Sequence, residues 1–344
     1  MFIQRRIPLG GMIKWTIKDI IFYFVVSTYP VCLYYFLGWD WIALPTLPIS
    51  LIGTIVAFNL GFKNNNAYDR LWEARKVWGG IVNSSRSWGI GSIDFITNHF
   101  RTTDMDEEEI KAIHKRLIYR HIAWLTALRY QLRSEKPWEH HNHKAQIRFR
   151  ERFHMTAEYK EDLAEEISPY LSAAEKKDAL GRKNPAAHII KLQSSDLKEL
   201  RASHLLDDFR HIEMTKLLNE FYTLQGKSER IKNFPLPRQY ATISYYFVML
   251  FIYILPFGML SVFGEYSTTA GANFVWLTIP ASMIVSWVYF TLEKVGDYSE
   301  NPFEGTGNDI PITSMSRGIE INLRDMLDEK HLPESIAPVN NIST

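Results

Sequence analysis

Four long stretches of this sequence contain no charged side chain and no histidine, a pattern that points to a lipid bilayer. Ile20 to Trp39 is uncharged over 20 positions, and after Asp40 a second run of 22 positions extends from Trp41 to Phe62. A third run spans Tyr240 to Gly264, and a fourth lies within Tyr266 to Leu292, with only Glu265 between them. Each is long enough to cross an apolar layer of about 30 Å, which takes roughly 20 helical residues. The mean hydropathy of -0.16 over 344 residues hides this, because the apolar blocks sit toward the two ends of the chain and most of the charge lies between them or in the tail. Arg5, Arg6 and Lys14 precede the first run in the order of a secretory signal. The run is too long and too aromatic at its end, and shows no small-residue cleavage site, so it reads as a retained span.

The placement of charge predicts an orientation. No Lys or Arg stands in the turn around Gly38 and Asp40, nor in the loop around Gly264 and Gly271. Basic residues gather at the other ends, with Lys18 before the first run, Lys63, Arg70, Arg75 and Lys76 after the second, and Arg230, Lys232 and Arg238 before the third. The positive-inside rule then puts both termini and the middle region in the cytoplasm, with a bacterial inner membrane as the expected host. Trp39, Trp41 and Tyr240 stand at run ends, where amphipathic rings favour the interface.

What is missing also excludes function classes. With 39 basic and 38 acidic residues, the net charge of +1 gives no footprint for nucleic acid. The single cysteine, Cys32, permits no intrachain disulfide. Proton-coupled carriers place an ionisable group at membrane depth, and these runs have none. The same absence removes any intramembrane acid-base pair, so no catalysis is expected.

The expected architecture is all-α: residues 1–62 carry the N-terminal segment and spans 1 and 2, 63–239 form a helical cytoplasmic region, 240–292 carry spans 3 and 4, and 293–344 form a cytoplasmic tail. After Thr103-Asp104, Ile110, Ile113, Leu117, Ile122, Leu125 and Leu128 recur at helical spacing. A second helix is predicted from near Ser195, with a stripe through Leu197, Leu200, Leu205, Phe209, Ile212, Leu217 and Phe221. Ser134 to Glu151 is polar and His-rich and reads as a loop followed by a short helix.

The second run carries the most information. Thr54, Phe58 and Phe62 are four apart and form one slightly slanted stripe on a helix, with Gly53, Ala57 and Gly61 as an adjacent stripe of small residues. Small residues let helices approach closely in lipid. If several copies surround an axis, the small stripe can pack on a neighbour while the aromatic stripe faces the centre, where a ring of phenyl groups closes by dewetting. Spacing alone favours ordinary helix-packing aromatics, since every membrane helix shows apolar stripes.

The residues that follow resemble a known family. Leu60-Gly61-Phe62-Lys63-Asn64-Asn65-Asn66-Ala67-Tyr68-Asp69-Arg70, with Glu73-Ala74-Arg75 and Trp78-Gly79, is similar to the signature after the second span of bacterial bestrophin homologues. Asn301-Pro302-Phe303, Asn308-Asp309-Ile310-Pro311 and Ile319-Glu320-Ile321 resemble the segment after the fourth, and Ile254-Leu255-Pro256-Phe257-Gly258 agrees in the third. The resemblance implies a homopentameric channel in a lipid bilayer, conducting small inorganic ions such as chloride through an apolar neck. It assigns the neck to Thr54, Phe58 and Phe62, and Thr54, where relatives are apolar, makes the outer ring more easily wetted. It places a cytoplasmic aperture at Ile212, a few residues before Leu218-Asn219-Glu220, a position that the helical stripe makes a core residue. A cation-selective pore for sodium or potassium and a membrane-anchored scaffold without a pore are the alternatives; the scaffold would bury the Phe stripe within one subunit.

No cofactor is expected. Eukaryotic relatives hold calcium with a run of acidic residues after Asn-Pro-Phe, whereas here Glu304-Gly305-Thr306-Gly307-Asn308-Asp309 offers two carboxylates. Calcium favours six to eight oxygen ligands, so calcium gating is not carried over, and Glu304 and Asp309 stand as candidate ligands against structural capping roles. His140, His141 and His143 lack a further ligand at a fixed spacing and read as an exposed loop. Gly305-Thr306-Gly307 is too short for a phosphate loop. Arg70, Glu73 and Arg75 are expected to pair across subunits rather than to order ions.

Overall fold

A computed structural model describes residues 1–101, 104–140 and 156–344, and the chain there is almost entirely helical. The helices of two turns or more are α1 (Leu9–Leu37), α2 (Thr46–Asp94), α3 (Glu107–Arg133), α4 (Ala173–Leu180), α5 (Pro185–Ala202), α6 (Asp208–Asn233), α7 (Arg238–Ala270), α8 (Thr278–Ser299) and α9 (Ile312–Asp325). Among the described residues, extended pairing is limited to isolated bridges such as Phe2 with Ile342. The chain divides into two compact units, and α2 passes from one into the other without a break.

The membrane unit, Gln4–Arg70 and Pro235–Glu300, contains α1, the N-terminal part of α2, α7 and α8. These four helices are long and apolar enough to cross a bilayer. The second helix begins at Thr46, not Trp41, because Asp40–Ile42 forms a separate single turn and Pro48 follows in the first turn of α2, where its missing N–H costs nothing. Small residues give α7 close contacts. A methyl group on Gly258 would meet Ile49 Cδ1, and one on Gly264 the Tyr34 hydroxyl, each closer than 3 Å, so those side chains would have to shift. The unit's core is thin, built on Tyr23, Ile49, Val56, Leu60, Val248 and Phe251. Much of its apolar surface is left outside, as expected where the solvent is lipid.

The other unit, Met1–Ile3, Leu71–Phe234 and Asn301–Thr344, has a larger core that includes Trp78, Trp88, Trp124, Leu128, Phe221 and Leu323. It also buries charge. Arg120 reaches Glu175 and Asp196, and Arg129 reaches Glu158 and Glu166. His121 lies between Trp88 and Trp124 against Phe221, with Nε2 2.9 Å from Ser85 Oγ. Burial pushes its ring down to about 3, so the imidazole is neutral at physiological pH.

Two local expectations are corrected here. The first helix of the middle region is capped at Asp106 and starts at Glu107, two residues after the expected capping stretch ends at Asp104; Thr103 lies outside the described residues. The predicted helix from Ser195 is two helices, because the chain breaks at Ser203–Asp207, where His204 adopts a φ of 58°. Asp207 starts α6 by accepting the backbone N–H groups of Phe209 and Arg210 at 2.9 and 3.2 Å. The break resets the register, so the buried face of α6 runs through Met214, Leu218, Phe221 and Leu224, and Phe209 and Ile212 fall outside it.

Candidate functional site

On α2 the Thr54, Phe58 and Phe62 stripe is not packed inside its own subunit. Phe58 and Phe62 are each 68% exposed. They border an open groove of about 440 Å³ lined by Thr54, Ala57, Gly61, Asn65 and Tyr289. The Thr54 hydroxyl donates to the Ser50 carbonyl at 3.0 Å, so its hydrogen is used within the helix and only oxygen lone pairs remain for water.

The small-residue stripe splits in two. Gly53 faces its own subunit, where an added methyl would sit 2.8 Å from Phe251, and the Tyr289 hydroxyl donates to its carbonyl at 3.2 Å. Ala57 is exposed, and Gly61 has nothing within 4 Å of where a Cβ would be. The close approach expected beside a neighbouring copy is therefore used at Gly53 for α7 and α8 of the same chain.

A buried ion pair that sequence reading did not single out lies directly after Phe62. The Lys63 ammonium contacts Glu293 of α8, and Ser244 of α7 donates to the same carboxylate at 2.7 Å. Asn64 adds a bond to the Leu292 carbonyl at 3.1 Å. These contacts tie α2, α7 and α8 together immediately after the stripe. Lys63 and Glu293 each follow an uncharged run, where they read as ordinary flanking charges; only the fold shows them paired.

In the other unit, Ile212 is 51% exposed and Phe209 83% exposed. The expectation that Ile212 is core is thus overturned, since the core side of α6 is occupied by Met214 and Leu218. Glu73 accepts from Arg230 of the same chain at 2.5 Å, and Arg70 Nε donates to the Glu300 carbonyl at 2.9 Å. Arg70 and Glu73 thus have partners within the chain.

Glu304 and Asp309 are both buried, and their oxygens already have donors. Glu304 accepts from Asn301 Nδ2 at 2.8 Å and from the backbone N–H of His140 at 3.2 Å, with His140 Nδ1 3.2 Å from both carboxylate oxygens. Asp309 accepts from the Thr306 backbone N–H at 2.9 Å and from its hydroxyl at 2.5 Å. The buried Arg133 guanidinium lies 3.8 Å from Asp309. Burial alone would raise the Glu304 carboxyl, yet the His140 contacts hold it below its usual range; burial and the nearby Glu304 push Asp309 up. Gly305 bends the loop with a φ of 81°, a region that favours glycine. The donor set fits a capped structural loop, not a cage of free oxygens for calcium. His140 is correspondingly buried rather than exposed; His141 and His143 lie outside the described residues. No cluster of three or more metal-ligating side chains occurs among the described residues.

Four apolar spans joined to a helical body with a polar surface define an integral membrane protein of the all-α class. The sequence profile of the Bacterial/Fungal Bestrophin protein family matches residues 5–325, and the chain belongs to that family, one of ion channels and not of enzymes. Among curated relatives, the voltage-dependent anion channel-forming protein YneE of Escherichia coli K12 is 27% identical over 291 residues, covering 85% of this chain and 80% of the relative. A protein of the same description from Ralstonia nicotianae is 28% identical over 295 residues, covering 86% and 81%. The crystal structure of a bacterial bestrophin homologue from Klebsiella pneumoniae superposes with a TM-score of 0.73 at 23% identity, covering 92% of this chain and 99% of that one. At that identity the match establishes the fold.

Proposed function

We propose that this chain is the subunit of a homopentameric ion channel, passing small anions such as chloride through a neck of Thr54, Phe58 and Phe62 and an aperture at Ile212. The observation that carries the reading is that these apolar side chains are left uncovered by their own subunit. A pore-free scaffold would bury the Phe stripe among its own helices, and that burial is not found. The curated relatives are described as forming anion channels, which supports the choice of anion over sodium or potassium.

Rings of Phe58 and Phe62 around a narrow axis exclude liquid water, so conduction follows when the helices separate enough to wet the passage. Lys63, paired with Glu293, fixes the end of the stripe without placing charge in the neck. The orientation remains the one that the positive-inside rule gives, with both termini in the cytoplasm of a bacterium and the protein in its inner membrane. The Glu304 to Asp309 loop requires no calcium in this reading.

The test is the current of the purified protein in planar bilayers under a KCl gradient, with Phe58 and Phe62 both changed to Ala. The expected result is reversal near the chloride equilibrium potential and a severalfold larger conductance in the variant. Unchanged currents would remove the neck assignment, and no current from either protein after verified reconstitution would return the scaffold reading.

A further inference from the structure

The face of α6 that carries Ile212 is unpacked along the whole helix. With 3.6 residues per turn, Ile212, Lys216, Asn219, Thr223, Lys227 and Arg230 fall within about 80° of one another's direction. All six are exposed, and the opposite side of the helix is buried through Met214, Leu218, Phe221, Leu224 and Ile231. Beyond Ile212 this face is polar. A polar unpacked strip suits water better than a tight contact with another subunit, whose centre is depleted of charge.

Lys216, Lys227 and Arg230 stand on the strip, with the exposed carboxylates of Glu213 and Glu220 along its edge. Lys216 pairs with Glu213 at 2.6 Å, and Arg230 pairs with Glu73. Lys227 makes no ion pair among the described residues, and Gly226 beside it leaves open space. It follows Ile212 by 15 residues, or about 22 Å along the helix. Asp208, at the start of the strip, is engaged by Arg201 at 2.5 Å.

We propose that Lys227 is a charge-selectivity residue: repeated around the symmetry axis, it forms a cationic ring in the water-filled part of the ion path and raises the local concentration of small anions. The inference rests on the channel reading above and deepens it, because an uncharged neck has no means of choosing the sign of an ion. Lys227 acts through its field and touches no fixed site, so its contribution fades as salt screens it. The Debye length is about 30 Å at 0.01 M and about 3 Å at 1 M.

The experiment compares reversal potentials of the full-length protein, Lys227→Glu, Lys227→Arg and Lys177→Glu in planar bilayers under KCl gradients centred on low and high salt. Lys177 is exposed on α4 and controls for net charge alone. At about 10 mM, Lys227→Glu is expected to lower the chloride-to-potassium permeability ratio by roughly tenfold, with the effect shrinking toward 1 M. Lys227→Arg and Lys177→Glu should keep the original ratio. Currents from Lys227→Glu with an unchanged reversal potential at low salt would overturn the role of Lys227 while leaving the channel intact. A starting protein that reverses at the potassium potential would overturn it too. Absence of current from every protein, or a neck variant with no conductance change, would instead overturn the channel reading on which it rests.

Discussion

The two units hide and expose opposite things. The membrane unit leaves large apolar side chains outside; Leu47 is 71% exposed, about as much as Phe58 and Phe62. The other unit buries arginines, glutamates and two histidines and presents a mostly polar surface. In the first unit lipid can cover a lone exposed phenylalanine, so Phe58 and Phe62 are set apart by being uncovered together with Thr54 along one groove of α2. In the second, an exposed Phe209 and Ile212 on one helix stand out against a polar background. The proposed neck rests on the pattern on α2, and the proposed aperture on the surface of α6.

The comparison breaks most sharply if Ile212 and Leu218 behave alike. They are six residues apart on α6, one half-exposed and one 4% exposed. Leu218→Ala is expected to lower stability by about 2–5 kcal/mol, the usual range for a large-to-small change in a core. Ile212→Ala should stay within about 0.5 kcal/mol in stability but change conductance. Thermal unfolding in detergent together with bilayer currents checks both, and a large stability loss from Ile212→Ala would return that residue to the core.

A smaller effect tests the burial of His121. Its ring is held at about 3 in the folded protein against an ordinary 6.5, so the unfolded chain binds a proton that the folded one does not. Stability is then full above pH 6.5 and falls as pH drops toward 3, by about 2 kcal/mol between pH 7 and pH 5. His121→Phe keeps a ring against Trp88, Trp124 and Phe221 and removes the titration, so its melting temperature should fall less over the same interval. Equal falls in the two proteins would show that other groups set the acid sensitivity.

How much of this was legible in the sequence differs between the same two units. Four spans follow from uncharged runs, because in lipid every backbone group must be bonded within the helix and little else can cross. The Thr54, Phe58 and Phe62 stripe follows from spacing once the helix is known. The exposed face of α6 did not follow from spacing, because apolar residues continue at helical spacing from Leu197 to Phe221 across the break at Ser203–Asp207, and only the capping Asp207 marks the new start. Pairings such as Lys63 with Glu293, or His140 with Glu304, join residues more than 150 positions apart, and no local pattern announces them.

The smallest expected effect is that of calcium, and the comparison accounts for it. A calcium site needs six to eight oxygens free to turn toward one ion, whereas the two carboxylates of the Glu304 to Asp309 loop are already bonded to donors of the same chain. Glu304 is taken by Asn301 and His140, and Asp309 by Thr306. The buried guanidinium of Arg133 already faces Asp309, so a second cation would enter against a positive charge. Bilayer currents should therefore be the same in millimolar calcium and in chelator, and the melting temperature should not shift. A ligand at a hundred times its dissociation constant stabilises a folded protein by about 2.7 kcal/mol, so a binding site of useful affinity would be visible in the melt even if it left the current unchanged. A calcium-dependent rise in melting temperature that Asp309→Asn abolishes would mean that the loop opens toward a metal, and Arg133 would then be its competitor.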